Sequence, residues 1–334
     1  MDYKSSGVDI DVANSTKESF KEILYTMDSR VMNSAGAFAS LYSISSIDME
    51  EPVLVTKTEE PGSKQIIAFE YGRYESICFD MINHLVNDCI MMGAHPMTVQ
   101  DCIVCGKLEE DKVKRMVNAM AEACRLNCCT LVGGETSEQP GVIPNGTYIL
   151  SSSIVGMVDK KNIIDGSKIR VGDDILAVSS SGPHTNGYSL IRAILKEHPE
   201  LKDDKKFMED ILTPHRAYYQ AIHSLFPVIY GLAHITGGGI KENLNRILPQ
   251  HLSALVDLGK IKIPEVFHKI KTVGGVSDAE MLRTFNLGIG IVVVTNPEIS
   301  EKVIKRISEH SRTYKIGKII EGDKRVETAG QLNW

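Results

Sequence analysis

The segment Tyr74–Met92 reads YESICFDMINHLVNDCIMM and has the pattern of an amphipathic helix. Placed at 100° per residue, its polar side chains form one stripe about 140° wide, and apolar side chains cover most of the rest. Solvated helix faces usually carry Lys, Glu, Arg and Gln, whereas this stripe has only short side chains. It is therefore either a solvated face or a fixed site, in which Asn87 and Asp88 could offer ligands to Mg²⁺. The stripe consists of Asp80, Asn83, His84, Asn87 and Asp88.

Short β-rich runs and longer helical runs alternate on both sides of this helix, which predicts an α/β or α+β fold. A polar segment with two glycines, residues 165–173, separates two such series. We place the boundary there, with domains 1–168 and 169–334. In the first domain we predict strands at 52–57, 98–104, 129–133 and 148–158, and helices at 74–92 and 109–127. In the second we predict strands at 174–179, 233–236, 252–257, 287–295 and 313–320, and helices at 186–196, 214–230 and 297–310, with shorter ones after 239 and near 264 and 277.

Composition narrows the classes of function. A chain of 334 residues with 43% hydrophobic and 24% charged residues fits two globular domains. The net charge of −6 disfavours nucleic-acid or anionic-membrane partners. The N-terminus lacks the basic and apolar pattern of a signal peptide, so we expect a cytoplasmic protein. All seven cysteines lie in the first 130 residues, and we expect free thiols there rather than disulfides or a zinc site at Cys102 and Cys105.

Three glycine-rich segments follow predicted strands. In LVGGETSEQPG (residues 131–141) two glycines precede Glu135, which suits either a turn or close approach of a ligand. In SSSGPHTNG (179–187) His184 stands before a predicted helix, either in an anion site or in a loop capped by Thr185 or Asn186. Gly237–Gly239 presents the same alternatives. With Lys64 in the phosphate-loop-like end of TEEPGSK (58–64), these segments indicate an enzyme that uses a nucleotide.

These motifs, in this order, resemble the phosphoribosylformylglycinamidine cyclo-ligase family, also called aminoimidazole ribonucleotide synthetase. The segment SSGPHTNGYSL (180–190) is the most specific, because other members of the superfamily generally lack it. The resemblance covers nearly the whole chain. Its segments are residues 3–11, 86–96, 106–108, 131–141, 164–167, 180–190, 234–239, 264–267 and 283–290.

The resemblance implies two α/β domains, with the N-terminal sheets of a homodimer closing into a barrel and ATP in a cleft near that interface. It also implies the reaction. ATP phosphorylates the formyl oxygen of formylglycinamidine ribonucleotide, the amidine nitrogen attacks the activated carbon, and phosphate leaves as the imidazole ring closes. Such a reaction needs positioning and charge neutralisation more than covalent catalysis.

Site residues follow from the same resemblance. Asp88, Glu135 and Glu59 are expected to hold Mg²⁺, and His184, Asn186 and Lys64 to act in catalysis. The positions expected to contact the nucleotide or its phosphates are Glu59, Gly62, Ser63, Lys64, Asn87, Asp101, Gly133, Gly134, Thr136, Gly182, Gly187, Gly237 and Gly238.

The chain departs from the family in TEEPGSK, where the family reads TDGVGTK. Glu59 keeps a carboxylate with a longer reach. Glu60 loses the positive φ that glycine allows, and Pro61 pushes Glu60 towards β or polyproline geometry, so the loop must take a different path. Two alternatives therefore stay open. One is another phosphoryl-transfer enzyme of the superfamily, of the thiamine-monophosphate kinase or selenophosphate synthetase type. The other is a catalytically weak paralogue that acts as a binding protein.

Overall fold

The computed structural model describes Ser15 and residues 28–33, 37–45 and 47–334. The N-terminal part of the family resemblance, residues 3–11, lies outside the described residues. The helices are α1 Lys64–Glu70, α2 Tyr74–Ile90, α3 Glu110–Leu126, α4 Tyr188–Glu197, α5 Lys205–Leu212, α6 Tyr219–Ile222, α7 Gly239–Asn245, α8 Glu265–Gly274, α9 Asp278–Thr284 and α10 Ser300–Ser308. The strands are β1 Pro52–Glu59, β2 His95–Cys105, β3 Thr130–Glu138, β4 Tyr148–Asp159, β5 Asp174–Ser179, β6 Ile229–His234, β7 Leu252–Asp257, β8 Ile289–Thr295, β9 Thr313–Glu321 and β10 Val326–Ala329.

The first sheet has the strand order β1-β4-β2-β3. Strands β1, β4 and β2 pair antiparallel, and β3 pairs parallel with β2. Burial alternates along the first part of β4, because one face of the sheet packs against α2 and α3. On the other face Leu54 and Ile149 are exposed. The mixed α/β fold predicted from the sequence is confirmed.

The second sheet has six strands in the order β10-β7-β9-β5-β8-β6. Only β10 and β7 pair in parallel. Every residue of β8 is buried, as its continuous apolar run predicts for a central strand. Four of the five strands predicted for the second half, at 174–179, 252–257, 287–295 and 313–320, belong to this sheet, with shifts of no more than two residues at their ends. The fifth, predicted at 233–236, is β6, which begins four residues earlier and ends two residues earlier.

The polar stripe of α2 is buried along most of its length. It packs against the loop 213–218 of the second half of the chain. Asn83 Nδ2 donates to His215 O at 2.7 Å, and Asn87 both donates to Arg216 O at 2.8 Å and accepts from Tyr218 N–H at 3.1 Å. These bonds occupy the Asn87 amide, which was predicted to contact the nucleotide. The stripe is therefore an interface between the two halves.

The helix predicted over residues 214–230 is wrong. Residues 213–218 form an extended loop, α6 has a single turn, a 3₁₀ segment spans His223–Val228, and β6 begins at Ile229. Backbone groups of His215 and Arg216 form hydrogen bonds with side chains of α2 instead of with other backbone groups, as they would in a helix. Pro227, inside the 3₁₀ segment, is incompatible with a continuing α-helix.

Three further elements were not predicted from the sequence. Helix α1 begins directly after Gly62 and Ser63, where the sequence suggested a phosphate loop, and α5 and β10 were not anticipated.

All seven cysteines are free thiols. Cys102 and Cys105 are three residues apart on β2 and so point to opposite faces of the sheet. Among the described helices, none combines the length and apolarity needed to cross a membrane.

Candidate active site

A pair of carboxylates lies where the end of β1 meets the end of α2. Glu59 Oε2 and Asp88 Oδ2 are 2.9 and 3.1 Å from the same ammonium group, that of Lys57. His234 Nδ1 donates to Asp88 Oδ1 at 2.7 Å. Burial raises the pKa of Asp88, but the hydrogen bond from His234 and the nearby charges of His234, His84 and Lys57 outweigh burial and hold the pKa well below its usual range. Asp88 is therefore ionised at neutral pH.

This pair suits a divalent cation. Two carboxylate oxygens about 3 Å from one positive charge can also approach a metal ion, and Mg²⁺ is commonly held by one or two carboxylates plus phosphate oxygens. Lys57 occupies that position in this structure. The predicted metal ligands Glu59 and Asp88 are thus brought together.

Glu135, the third predicted metal ligand, lies elsewhere. Strand pairing aligns Glu59 with Ser152, Ser152 with Asp101, and Asp101 with Gly134. Three steps between neighbouring strands, each about 4.8 Å, separate Glu59 from Gly134 by about 14 Å. Glu135 follows Gly134, so its side chain is on the opposite, exposed face of the sheet. Within one chain the structure does not bring Glu135 to the carboxylate pair.

Asp101 lies in the interior between this sheet and its helices. Burial, with a smaller contribution from the charge of Glu135, raises its pKa to about 7. A Cβ at Gly134 would overlap the backbone oxygen of Asp101, so close strand packing accounts for that glycine. Gly133 has a φ of +140°, which favours glycine, and Thr136 pairs with Ile103 of β2.

Lys64 is wholly buried and is directed away from the carboxylate pair. Its ammonium contacts Asp80 Oδ2 at 2.7 Å and donates to the carbonyl oxygens of His184 at 3.1 Å and Thr213 at 2.8 Å. Burial raises the pKa of Asp80 to about 6, so the carboxylate is ionised at pH 7. A phosphate could reach this ammonium only by displacing these partners. Lys64 therefore links α1 to α2 and to two loops of the second half.

His184 lies in a cluster of four histidines that the sequence did not reveal as a group. The other three are His84 on α2, His215 in the loop 213–218 and His234 at the end of β6. His184 is 1% exposed, has a φ of +62°, and stacks on His215 with ring centroids 3.7 Å apart. His84 Nδ1 is 3.0 Å from Thr185 Oγ1. Because these histidines are 19 to 150 residues apart in sequence, pattern analysis does not reveal the cluster, although all four lie in or beside segments already singled out or in the mispredicted helix.

A cavity of about 450 Å³ opens at the N-terminus of α4. Gly187, at a φ of +80°, precedes this helix, and no side chain caps its first turn. Asn186 Nδ2 is buried and has no hydrogen-bond partner within the described part of the chain. Ser63 also lines the cavity, and the adjacent Gly62 lies against Thr185 O, so the loop 59–63 connects the carboxylate pair with this cavity.

The remaining glycines of the prediction shape the same region. Gly182 O accepts from Ser180 Oγ and from Asn286 Nδ2, both at 2.9 Å. Gly237 lies beside Asn186 Oδ1, while Gly238, with a φ of +89°, starts α7. The loops 180–187 and 237–239 therefore meet at Asn186.

Comparison with known proteins identifies the family. The phosphoribosylformylglycinamidine cyclo-ligase of Bacillus thuringiensis (strain Al Hakam) is 37% identical over 331 residues, which cover 96% of both chains. This chain belongs to the phosphoribosylformylglycinamidine cyclo-ligase family. Family models agree: "AIR synthase related protein, N-terminal domain" matches residues 41–158, and "AIR synthase related protein, C-terminal domain" matches residues 170–329.

Solved structures share the fold. Thiamine-monophosphate kinase from Stenotrophomonas maltophilia K279a superimposes with a TM-score of 0.68 at 17% identity, over 95% of this chain and 96% of that one. Hydrogenase maturation protein HypE in complex with ATP gives a TM-score of 0.66 at 16% identity, over 95% and 91%. At such identities the likeness establishes the architecture alone.

Proposed function

We propose that this protein catalyses the ATP-dependent cyclisation of formylglycinamidine ribonucleotide to aminoimidazole ribonucleotide in purine biosynthesis, with release of ADP and phosphate, in the cytoplasm. The observation that carries the proposal is the 37% identity to the cyclo-ligase of Bacillus thuringiensis across 96% of both chains. The likeness to thiamine-monophosphate kinase extends only to the fold, so it does not favour that activity over cyclisation.

The cavity at the N-terminus of α4 is the proposed site for the phosphate of the ribonucleotide. The first turn of a helix offers unpaired backbone N–H groups and a positive partial charge, both of which favour anions. The Asn186 amide adds a buried donor at this cavity. These groups would orient the substrate without covalent chemistry.

Glu59 and Asp88 are the proposed ligands of Mg²⁺. When bound, this ion would neutralise the phosphates of ATP, as is usual in phosphoryl transfer. HypE, a protein of the same fold, has been solved in complex with ATP, which supports ATP as the nucleotide here. Gly133 and Thr136 of β3 are kept as proposed nucleotide contacts, whereas Glu135, which was expected to hold Mg²⁺, lies on the exposed face of the first sheet.

We propose different roles for His184, Asn186 and Lys64. Burial holds the pKa of His184 well below its ordinary value, so the imidazole is neutral. A neutral imidazole can pass a proton between substrate atoms without a net change in its charge when one ring nitrogen accepts a proton as the other donates one. Lys64, which is fully paired, positions His184 through its carbonyl oxygen instead of contacting phosphate.

A homodimer joined through the first sheets is part of the proposal. The exposed apolar side chains Leu54 and Ile149 on the uncovered face would be buried in such a barrel, which favours association.

One assay tests the proposed reaction. Release of ADP is measured with and without formylglycinamidine ribonucleotide, and the imidazole product is followed directly. Substrate-dependent ADP release in step with product formation supports cyclisation. ADP release only with a different acceptor would identify another phosphoryl transferase, and no ADP release with any acceptor would indicate a binding protein.

A further inference from the structure

Three buried imidazoles come together beside the carboxylate pair, and the proposed reaction uses only one of them, that of His184. One nitrogen of each of His184, His215 and His234 lies within 4.8 Å of the others, and each of these residues is less than 7% exposed. We propose that these three histidines bind a transition-metal ion of the Zn²⁺ class, separate from the Mg²⁺ of the carboxylate pair. Imidazole nitrogens favour such ions, whereas Mg²⁺ favours oxygen ligands.

Spacing between two of the ligands is close to what such an ion needs. His215 Nε2 and His234 Nε2 are 2.9 Å apart. Two nitrogens bound at 2.0–2.1 Å in a tetrahedral site are about 3.3 Å apart. For this pair, ring rotations that separate the atoms by a few tenths of an ångström are sufficient, and the metal would replace the hydrogen bond that now joins the two rings. His184, whose ring stacks on His215 at 3.7 Å between centroids, must tilt out of that stack to direct its nitrogen at the same ion.

Asp88 provides the orienting group that metal-bound histidines usually have. Its Oδ1 accepts the Nδ1 proton of His234 at 2.7 Å, which leaves Nε2 of His234 as the nitrogen with a free lone pair. Asp88 therefore contacts Lys57 through Oδ2 and His234 through Oδ1.

Coordination through Nε2 requires the ring proton of His184 and of His215 to be on Nδ1. Nδ1 of His184 and Nδ1 of His215 are buried and make no hydrogen bond to any residue that the structure describes, so no contact there fixes the proton on the other nitrogen. Burial also lowers the pKa of both rings well below the ordinary value, and neutral imidazole is the form that binds metal. His184 Nε2 accepts from Ser181 N–H at 3.2 Å, a bond that coordination through this nitrogen would replace.

The test is metal binding by the full-length protein, without any measurement of turnover, so that its outcome is independent of the proposed reaction. The metal-free protein is titrated with Co²⁺ and with Zn²⁺, then desalted and analysed for bound metal. We expect one ion per chain that a large excess of Mg²⁺ does not displace, and an X-ray absorption spectrum with three imidazole ligands.

Variants separate this site from its neighbours. His215→Asn should weaken Co²⁺ binding at least a hundredfold, and Asp88→Asn, which keeps all three ligands, should weaken it ten- to a hundredfold. The exposed His251→Asn should bind as the wild type does. Because the spectrum of the wild type reports its ligands directly, the proposal stays testable even if His215→Asn fails to fold.

Three outcomes would overturn the proposal. The first is that no stoichiometric Co²⁺ or Zn²⁺ survives desalting. The second is displacement by Mg²⁺, which would assign the ion to the carboxylate pair. The third is loss of binding in His84→Asn while His215→Asn still binds, because His84, Asp88 and His234 form the competing set of ligands.

Discussion

Lys64 and Asp80 form a wholly buried ion pair, with Nζ 2.7 Å from Oδ2, that joins the two halves of the protein. Asp80 also accepts the backbone N–H of His215 at 2.8 Å, and the ammonium donates to the carbonyl oxygens of His184 and Thr213. The ion pair therefore connects α1 and α2 to the two loops that carry His184 and His215.

Removing one partner of this pair should destabilise the protein strongly. Lys64→Met leaves the Asp80 carboxylate buried without its counter-charge, and such changes typically cost about 3–5 kcal/mol. The double variant Lys64→Met with Asp80→Asn should be more stable than Lys64→Met alone, because no unpaired charge remains. Urea unfolding measures both. Lys206→Met, which breaks the exposed pair with Asp210, is the control and should change stability little. Equal losses in the single and double variants would contradict the pairing.

Glu59→Gln tests the carboxylate pair. The substitution removes one of the two negative charges that meet at Lys57, so we expect the rate of product formation to fall at least tenfold and the Mg²⁺ concentration for half-maximal rate to rise. Glu60→Gln, at the adjacent exposed residue, should behave as the wild type. A near-normal rate and Mg²⁺ dependence for Glu59→Gln would leave Glu59 as a surface acid.

Local patterns predicted most of this fold, and the exceptions have a common cause. Helices such as α2 and strands such as β8 have strong periodicity or continuous apolar runs, which specify them without tertiary information. The prediction for residues 213–218 failed because their backbone groups are hydrogen-bonded to side chains of α2, which lies more than 120 residues earlier in the sequence. The same kind of long-range contact holds Lys64 in the interior and brings the four histidines together. Pattern analysis places residues on elements, but it does not show which elements meet.

Asn186→Ala tests the cavity at the N-terminus of α4. The change removes the buried amide that has no partner among the described residues, so the KM for the ribonucleotide should rise at least tenfold while the KM for ATP stays within about twofold. Lys196→Ala, at an exposed position in the last turn of the same helix, is the matched control. If both KM values rise equally, Asn186 supports the loops in general and has no specific part in substrate binding.

Asp101 predicts a pH dependence of stability. Its pKa is raised by burial from 3.8 to about 7, so the native state keeps a proton that the unfolded chain loses. The stabilisation is complete below about pH 4 and is lost as the pH rises towards 7, by about 1.4 kcal/mol per pH unit at most. Asp101→Asn, which stays neutral, should remove this slope and be more stable than the wild type at pH 8. Urea unfolding from pH 4 to pH 8 measures it, and parallel curves for the two proteins would show that Asp101 is ionised in the native state.

Gly187→Ala should be much more harmful than an alanine at another glycine with positive φ. Gly187 has a φ of +80°, and its Cβ would overlap the ring of Phe285, whereas Gly275 has a φ of +59° with nothing within 4 Å of the added carbon. Gly275→Ala should therefore cost only the backbone term of about 1 kcal/mol. Gly187→Ala should cost about 2 kcal/mol more, because Phe285 must move, and it should weaken ribonucleotide binding at the start of α4. Thermal unfolding compares the two variants. Similar losses at both positions would show that Phe285 yields easily and that Gly187 is required only for its backbone conformation.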